Sequence, residues 1–261
     1  FGKAIVSTPD NFGFMGQPPS HPELLDYLAT EFVEDGWSTK RLIRRLMLTR
    51  AYQLSTEPNP KALALDPDNV LLWRAHRKRL DAESLRDAIL AVNGSLDRSI
   101  GGQIGSDEAS QPVILNSSGG LPDVNRRSLY LPVLRGALND LYQVFDFPDP
   151  HALAAKRFVT TAPTQALFMM NSPFLNRQSD LWAKALLADR GLSDSDRVAR
   201  GFLRAFGRNP TAAETQTSLA FLKDYSAALA ATTQDESARR EQAWRGFCHA
   251  IYESTEFRFL N

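Results

Sequence analysis

Asp146, Asp149 and His151 fall within six residues and offer two carboxylates and an imidazole, a donor set that suits a divalent metal. They alternate with Phe147, Pro148 and Pro150, and aspartate and proline are equally at home in turns for backbone reasons. No familiar metal-ligand spacing is matched, so no metal is assigned. Arg126, Arg127, Arg135 and Arg157 stand on either side. Converging guanidiniums would hold a carboxylate, sulfate or phosphate in bidentate fashion. The competing expectation is that they pair with Asp123, Asp140, Asp146 and Asp149, or satisfy carbonyls of irregular backbone. Arg126, Arg127, Arg135, Arg157, Asp146, Asp149 and His151 therefore form the candidate ligand-binding set, and no catalytic residue is assigned.

The remaining chemistry-bearing residues point elsewhere. Arg74, Arg77, Lys78, Arg79 and Arg86 are interleaved with Asp81, Glu83 and Asp87, the pattern of a solvated helical face laced with ion pairs. His21 lies inside the first capping box, before a proline, and is expected to shape the helix entry, while His76 and His249 sit in helical or semi-helical contexts without an evident partner. Cys248 is the only cysteine, which excludes an intrachain disulfide, a cysteine zinc site and covalent haem attachment. It shares a helical face with Trp244, Phe247, Ile251 and Tyr252, as a buried structural cysteine would. No serine elbow, phosphate loop, zinc-protease helix or dinucleotide fingerprint occurs. Gly101-Gly102-Gln103-Ile104-Gly105 does not lie between a strand and a helix, as a cofactor loop should.

The 261 residues carry 30 basic and 30 acidic side chains, so no net field draws the chain to nucleic acid or to an anionic membrane. No apolar run is long enough to span a bilayer. The chain opens on Phe1-Gly2-Lys3, which reads as a piece whose targeting signal would lie upstream.

The elements that must position these residues are mostly helical. Ser20-His21-Pro22-Glu23 has the form of a capping box and should start a helix to about Glu34, with Gly36 ending it and Ser38 or Thr39 opening a second. The short connection makes the two an antiparallel hairpin. Residues 55–69, with Pro58, Pro60 and Pro67, read as a linker, and Asp81 as the start of a helix through about Asp97. Residues 94–127 are irregular and glycine-rich, a length of loop that tends to be functional. Two short strands are expected at Pro112 to Leu115 and Ser128 to Pro132, then helix from Leu134 to Phe145. The apolar stretch Arg157 to Leu175 holds a short helix and, from Ser172-Pro173, a longer one. Capping boxes at Ser193/Asp196 and Thr211/Glu214 start two more, and a helix from Glu236 to Ser254 closes the series. The expected fold is mainly α, a multi-helix domain with helical hairpins and a small β element near residues 112–132. Residues 1–150 would form an N-terminal lobe and 151–261 a C-terminal one, or the two a continuous domain.

Several stretches occur in the order found in one known family. They are FGKAIVSTPDNFGFMGQPPSHPELLDYLATEF, GWSTKRLIRRLMLTRAYQLS, DNVLLWRAHRKRLDAESLRDAILAVNGSLDRSIGG, RRSLYLPVLR, FDFPDP, TTAPTQALFMMNSPF, FGRNPTAAE and AWRGFCHAIYESTEFRFLN. The chain resembles the large C-terminal domain of unknown function of planctomycete-type surface proteins, over essentially its whole length. The resemblance implies an extracytoplasmic home, in the periplasm or at the cell surface. It also implies life as one module of a larger polypeptide that commonly carries an upstream cytochrome c domain. Haem would belong to those other domains, so no cofactor is expected here. The expected partners are upstream domains of the same polypeptide or envelope proteins, with no nucleic acid. The leading expectation is a non-catalytic interaction module, associated with cytochrome c-type electron transfer. The alternative is an enzyme or ligand-binding domain acting on an envelope or polysaccharide substrate through the arginine, aspartate and histidine set.

Overall fold

In the computed structural model, residues 1–100, 124–133, 135–136 and 138–260 are described. They form eleven α-helices, two 3-10 turns and one two-stranded antiparallel sheet, and the protein is mainly α. Two compact units divide the chain. One is Phe1–Arg79 joined by the last residues from Phe259; the other is Leu80–Arg258. The boundary between compact units falls at 79/80, and residues on both sides of the expected 150/151 division belong to the second unit.

The first unit holds α1 (Pro22–Glu34), α2 (Thr39–Met47) and α3 (Pro60–Leu65), and a sheet of β1 (Lys78–Arg79) with β2 (Phe259–Leu260). The expected capping box at Ser20 does not form. His21 is the N-cap residue, and Ser20 Oγ bonds its Nδ1 at 2.9 Å. Pro22 at the first helical position and Glu23 in the first turn start the helix instead. Gly36, at φ 69°, ends it in the left-handed conformation glycine tolerates. Ser38 then caps α2 by accepting the Arg41 N–H at 3.4 Å. Arg45 of α2 pairs with Glu31 and Asp35 at the end of α1, which closes the hairpin. The expected linker at 55–69 contains α3, because Asn59 caps it and Pro60 opens it.

The second unit holds α4 (Ala82–Asn93), a 3-10 turn (Ser128–Tyr130), α5 (Asp140–Val144), α6 (Pro163–Asn171), α7 (Pro173–Ala188), α8 (Asp194–Phe206), α9 (Ala212–Ala228), α10 (Glu236–Glu253) and α11 (Thr255–Arg258). Helices α7 and α10 pack along each other at its centre, with α4, α6, α8 and α9 around them. Trp182, Trp244, Tyr252, Leu85, Ile89, Leu175 and Leu186 are buried there together. The Tyr252 hydroxyl donates to the Ile89 carbonyl at 3.0 Å, and Asn93 Nδ2 donates to Gln178 Oε1 at 2.6 Å. Tyr252 and Asn93 thus each find a polar partner across the core. Cys248 lies wholly inside, and burial pushes its thiol well up. The capping boxes at Ser193/Asp196 and Thr211/Glu214 both form.

Three expectations are corrected. Helix α4 stops at Asn93 rather than near Asp97, because Gly94 adopts φ 84°. The helix expected over 134–145 shrinks to α5, which begins only where Asn139 caps it. The strand expected at 128–132 is a 3-10 turn: the Ser128 N–H goes to Asp87 Oδ1 and the Tyr130 N–H to the Arg127 carbonyl, which leaves no ladder. The sheet that does exist joins residues 78–79 to 259–260. Pro112 to Leu115 lies outside the described residues. No helix is long and apolar enough to cross a membrane among those described.

Candidate functional site

Of the seven candidate residues, each is engaged by the fold around it. Arg157 makes a bidentate pair with Glu83 at 2.7 and 2.8 Å and lies over the Phe147 ring at 5.5 Å. Arg126 reaches Asp97 at 3.9 Å and the Ser99 carbonyl at 3.4 Å, and its guanidinium covers Tyr130, as does that of Arg127. Two arginines thus make cation–π contacts with one ring. The acids expected opposite the arginines are thus replaced by Glu83, Asp81 and Asp97, which come from α4 and from the chain just after it. Asp123 lies outside the described residues.

Asp146, Asp149 and His151 build a turn. Asp149 Oδ1 accepts the His151 N–H at 2.9 Å, and the Nε2–H of His151 donates to the Arg135 carbonyl at 3.1 Å. Asp146, held at φ 59°, accepts the N–H and hydroxyl of Thr160, both at 2.8 Å. Buried Gln165 of α6 donates to the carbonyls of Thr160 and Val144 at 3.2 and 3.1 Å. The carboxylates therefore pin the approach to α6 to the end of α5. No three His, Cys, Asp or Glu side chains are grouped so as to hold a metal ion among the described residues.

Sequence reasoning placed Arg86 and Asp87 on a solvated face, yet Arg86 is buried. Its Nη1 donates to the Arg126 carbonyl at 2.8 Å and its Nη2 to the Val124 carbonyl. Asp87, 3.6 Å from Arg86, accepts both the N–H and hydroxyl of Ser128 at 2.8 and 2.7 Å. The adjacent Tyr142 hydroxyl is buried, and that desolvation raises its pKa. A buried arginine is tolerable because carbonyls and a carboxylate take its protons. This node fixes residues 124–128 to α4. Asp87, the Arg126 carbonyl and Tyr142 share it.

A concave feature of the second unit lies elsewhere. A cavity of about 530 Å³ opens among α8, α9 and α10, within the size range of small-ligand sites. Phe202, Phe206, Phe221, Phe247 and Ile251 form its walls, and Glu214 and Glu256 stand at its edge. Arg208 binds all four oxygens of those two carboxylates, at 2.7 to 2.9 Å, and lies over Phe202 and Phe206 at 5.5 and 5.6 Å. Its guanidinium, with the Thr211 N–H, pulls Glu214 down to about 2. Such a site offers apolar walls, the hydroxyls of Thr217, Ser218 and Ser254, and one spare negative charge. In sequence, FGRNPTAAE shows the cap of α9 but not the cavity, because Phe247 and Glu256 arrive from far along the chain.

The family model for PSD1, protein of unknown function (DUF1553), matches residues 1–222. No curated protein matches the chain, and no solved structure matches it.

Proposed function

Since the chain belongs to the PSD1 family, we propose that it is a non-catalytic interaction module of a larger secreted or periplasmic cell-envelope protein, associated with cytochrome c-type electron transfer. The envelope setting and the cytochrome association rest on the resemblance to planctomycete-type surface proteins. The interaction role rests on one observation: no apolar side chain of the first unit is buried. Leu24, Leu25, Tyr27 and Val33 on α1, Trp37 at the corner, and Ile43, Met47 and Leu48 on or beside α2 are all exposed. Arg41 and Arg44 are exposed among them. Tryptophan, tyrosine, methionine and arginine are the residues enriched in protein interfaces, and an apolar surface of this extent marks an interaction site.

The alternative, an envelope or polysaccharide-acting site built on Arg126, Arg127, Arg135, Arg157, Asp146, Asp149 and His151, is less favoured by the turns and ion pairs that occupy these groups. Hydrogen exchange of the chain with and without its neighbouring domains from the full-length polypeptide tests the interaction role. Amides of residues 22–48 should gain protection while those of α6 stay unchanged. Unchanged exchange over 22–48 at saturating neighbour overturns the proposal. A shift in melting temperature with oligosaccharides, abolished by Arg157→Ala, would establish the alternative.

A further inference from the structure

The cavity among α8, α9 and α10 is braced at three points. A Cβ on Gly201 of α8 would stand 3.2 Å from Phe247 Cε1 of α10. One on Gly246 of α10 would stand 3.3 Å from both Phe221 Cζ and Tyr225 Cε1 of α9. At these two glycines α8 and α9 already lie in close contact with α10, so further approach of the helices cannot fill the hollow beside them. The third brace is Arg208, which binds both oxygens of Glu214 at the start of α9 and both oxygens of Glu256 in α11. The cavity is therefore preformed, as sites for small molecules largely are.

Its charge selects what could enter. The charged residues among the described lining are Glu214 and Glu256, both carboxylates. Arg208 cancels one of their two charges and is not itself part of the lining. Each oxygen of Glu256 accepts one bond from Arg208 and keeps a second lone pair. An entering group thus meets four phenylalanine rings and a residual negative charge. Ring faces attract a cation through their quadrupole, and the surplus carboxylate charge attracts it again. A neutral ligand would gain only the apolar walls, and an anion would be repelled. From the volume, the rings and the surplus charge together, we propose that this cavity binds a small organic monocation: a protonated or quaternary amine on an aromatic or branched apolar body. The apolar body lies against Phe247 and Ile251, and the amine sits beside Glu256. The site belongs wholly to the second unit and is independent of the α1–α2 surface.

Chemical-shift titration of the whole chain, read at the Ile251 δ-methyl group, tests this. The probes are 2-phenylethylammonium, 2-phenylethanol and 3-phenylpropanoate, a cation, a neutral molecule and an anion of similar shape. The ammonium probe should bind with a dissociation constant on the order of a millimolar, the range open to so small a ligand. The alcohol should bind about fivefold more weakly, the worth of one partly exposed charge pair, and the carboxylate should bind least. Glu256→Gln should weaken the ammonium probe about fivefold and leave the alcohol unchanged, which separates a lost charge from a disturbed wall. Ala250→Trp should abolish binding of every probe by filling the cavity. Ala250 is exposed and Glu256 half-buried, so both variants keep the fold, which circular dichroism checks. The inference is overturned by the absence of a saturable Ile251 shift with the ammonium probe, by an alcohol that binds as tightly, or by ammonium binding that keeps its full strength in either variant.

Discussion

The α1–α2 hairpin and the α7–α10 pair both carry apolar stripes, yet they keep those stripes in opposite surroundings. Trp182, Leu186, Trp244 and Cys248 are fully inside. Leu24, Val33, Ile43 and Met47 are exposed, and α1 and α2 contain no buried residue. Amphipathic periodicity therefore states that a face will be covered without stating by what. Around α7 and α10 four further helices supply the cover. The apolar side chains of α1 and α2 stay exposed, and the hairpin is held by local means: Pro22, Gly36, the Ser38 cap and the Arg45 pairs.

The sharpest way to break that comparison is to cut into each face and follow urea unfolding. Trp182→Ala should cost about 3–5 kcal/mol, the range for emptying a large aromatic from a packed core. Gln178→Leu should cost about 1–3 kcal/mol, because Asn93 Nδ2 loses its acceptor inside the core. Gly207→Ala should cost about 1–2 kcal/mol, since φ is 71° there and space is not the obstacle. Glu214→Gln should cost about 0.2–1 kcal/mol at neutral pH, the pair being half exposed and screened. The folded-state pKa of Glu214 is about 2 against an ordinary 4.5. Its contribution is therefore complete above about pH 4.5 and fades as pH falls toward 2, so the gap between wild type and Glu214→Gln should close over that window. Ile43→Ala on α2 should change stability by less than about 0.5 kcal/mol. A loss as large as that of Trp182→Ala there would mean the hairpin has a core of its own.

Much of the helical order was legible because it is local. Ser193 with Asp196, Thr211 with Glu214, and Pro173 after Ser172 announce three helix starts within four residues each, and all three helices form. Ser20 with Glu23 has the same spelling but no box, because His21 takes the capping position. The strand expected at 128–132 failed for a non-local reason: Asp87, forty-one residues away, takes the N–H and hydroxyl of Ser128. The acids that pair with Arg157 and Arg126 were hidden in the same way, since Glu83 and Asp97 are distant from them in sequence. The cavity was invisible because its walls come from three helices and its charged edge from Arg208, Glu214 and Glu256. The exposure of Leu24, Val33, Ile43 and Met47 was not legible either, because an apolar stripe does not say whether it is covered.

The pairing of β1 with β2 has a consequence for how the chain is made. Lys78 and Arg79 leave the ribosome early, and their partners Phe259 and Leu260 only after the whole second unit has been synthesised. Domains tend to fold as they emerge, and α1 and α2 can close their hairpin at once because its contacts are local. The strand pair cannot; it must wait while α4 to α11 are translated between its halves. During that interval the first unit presents an unpaired edge as well as its apolar helices.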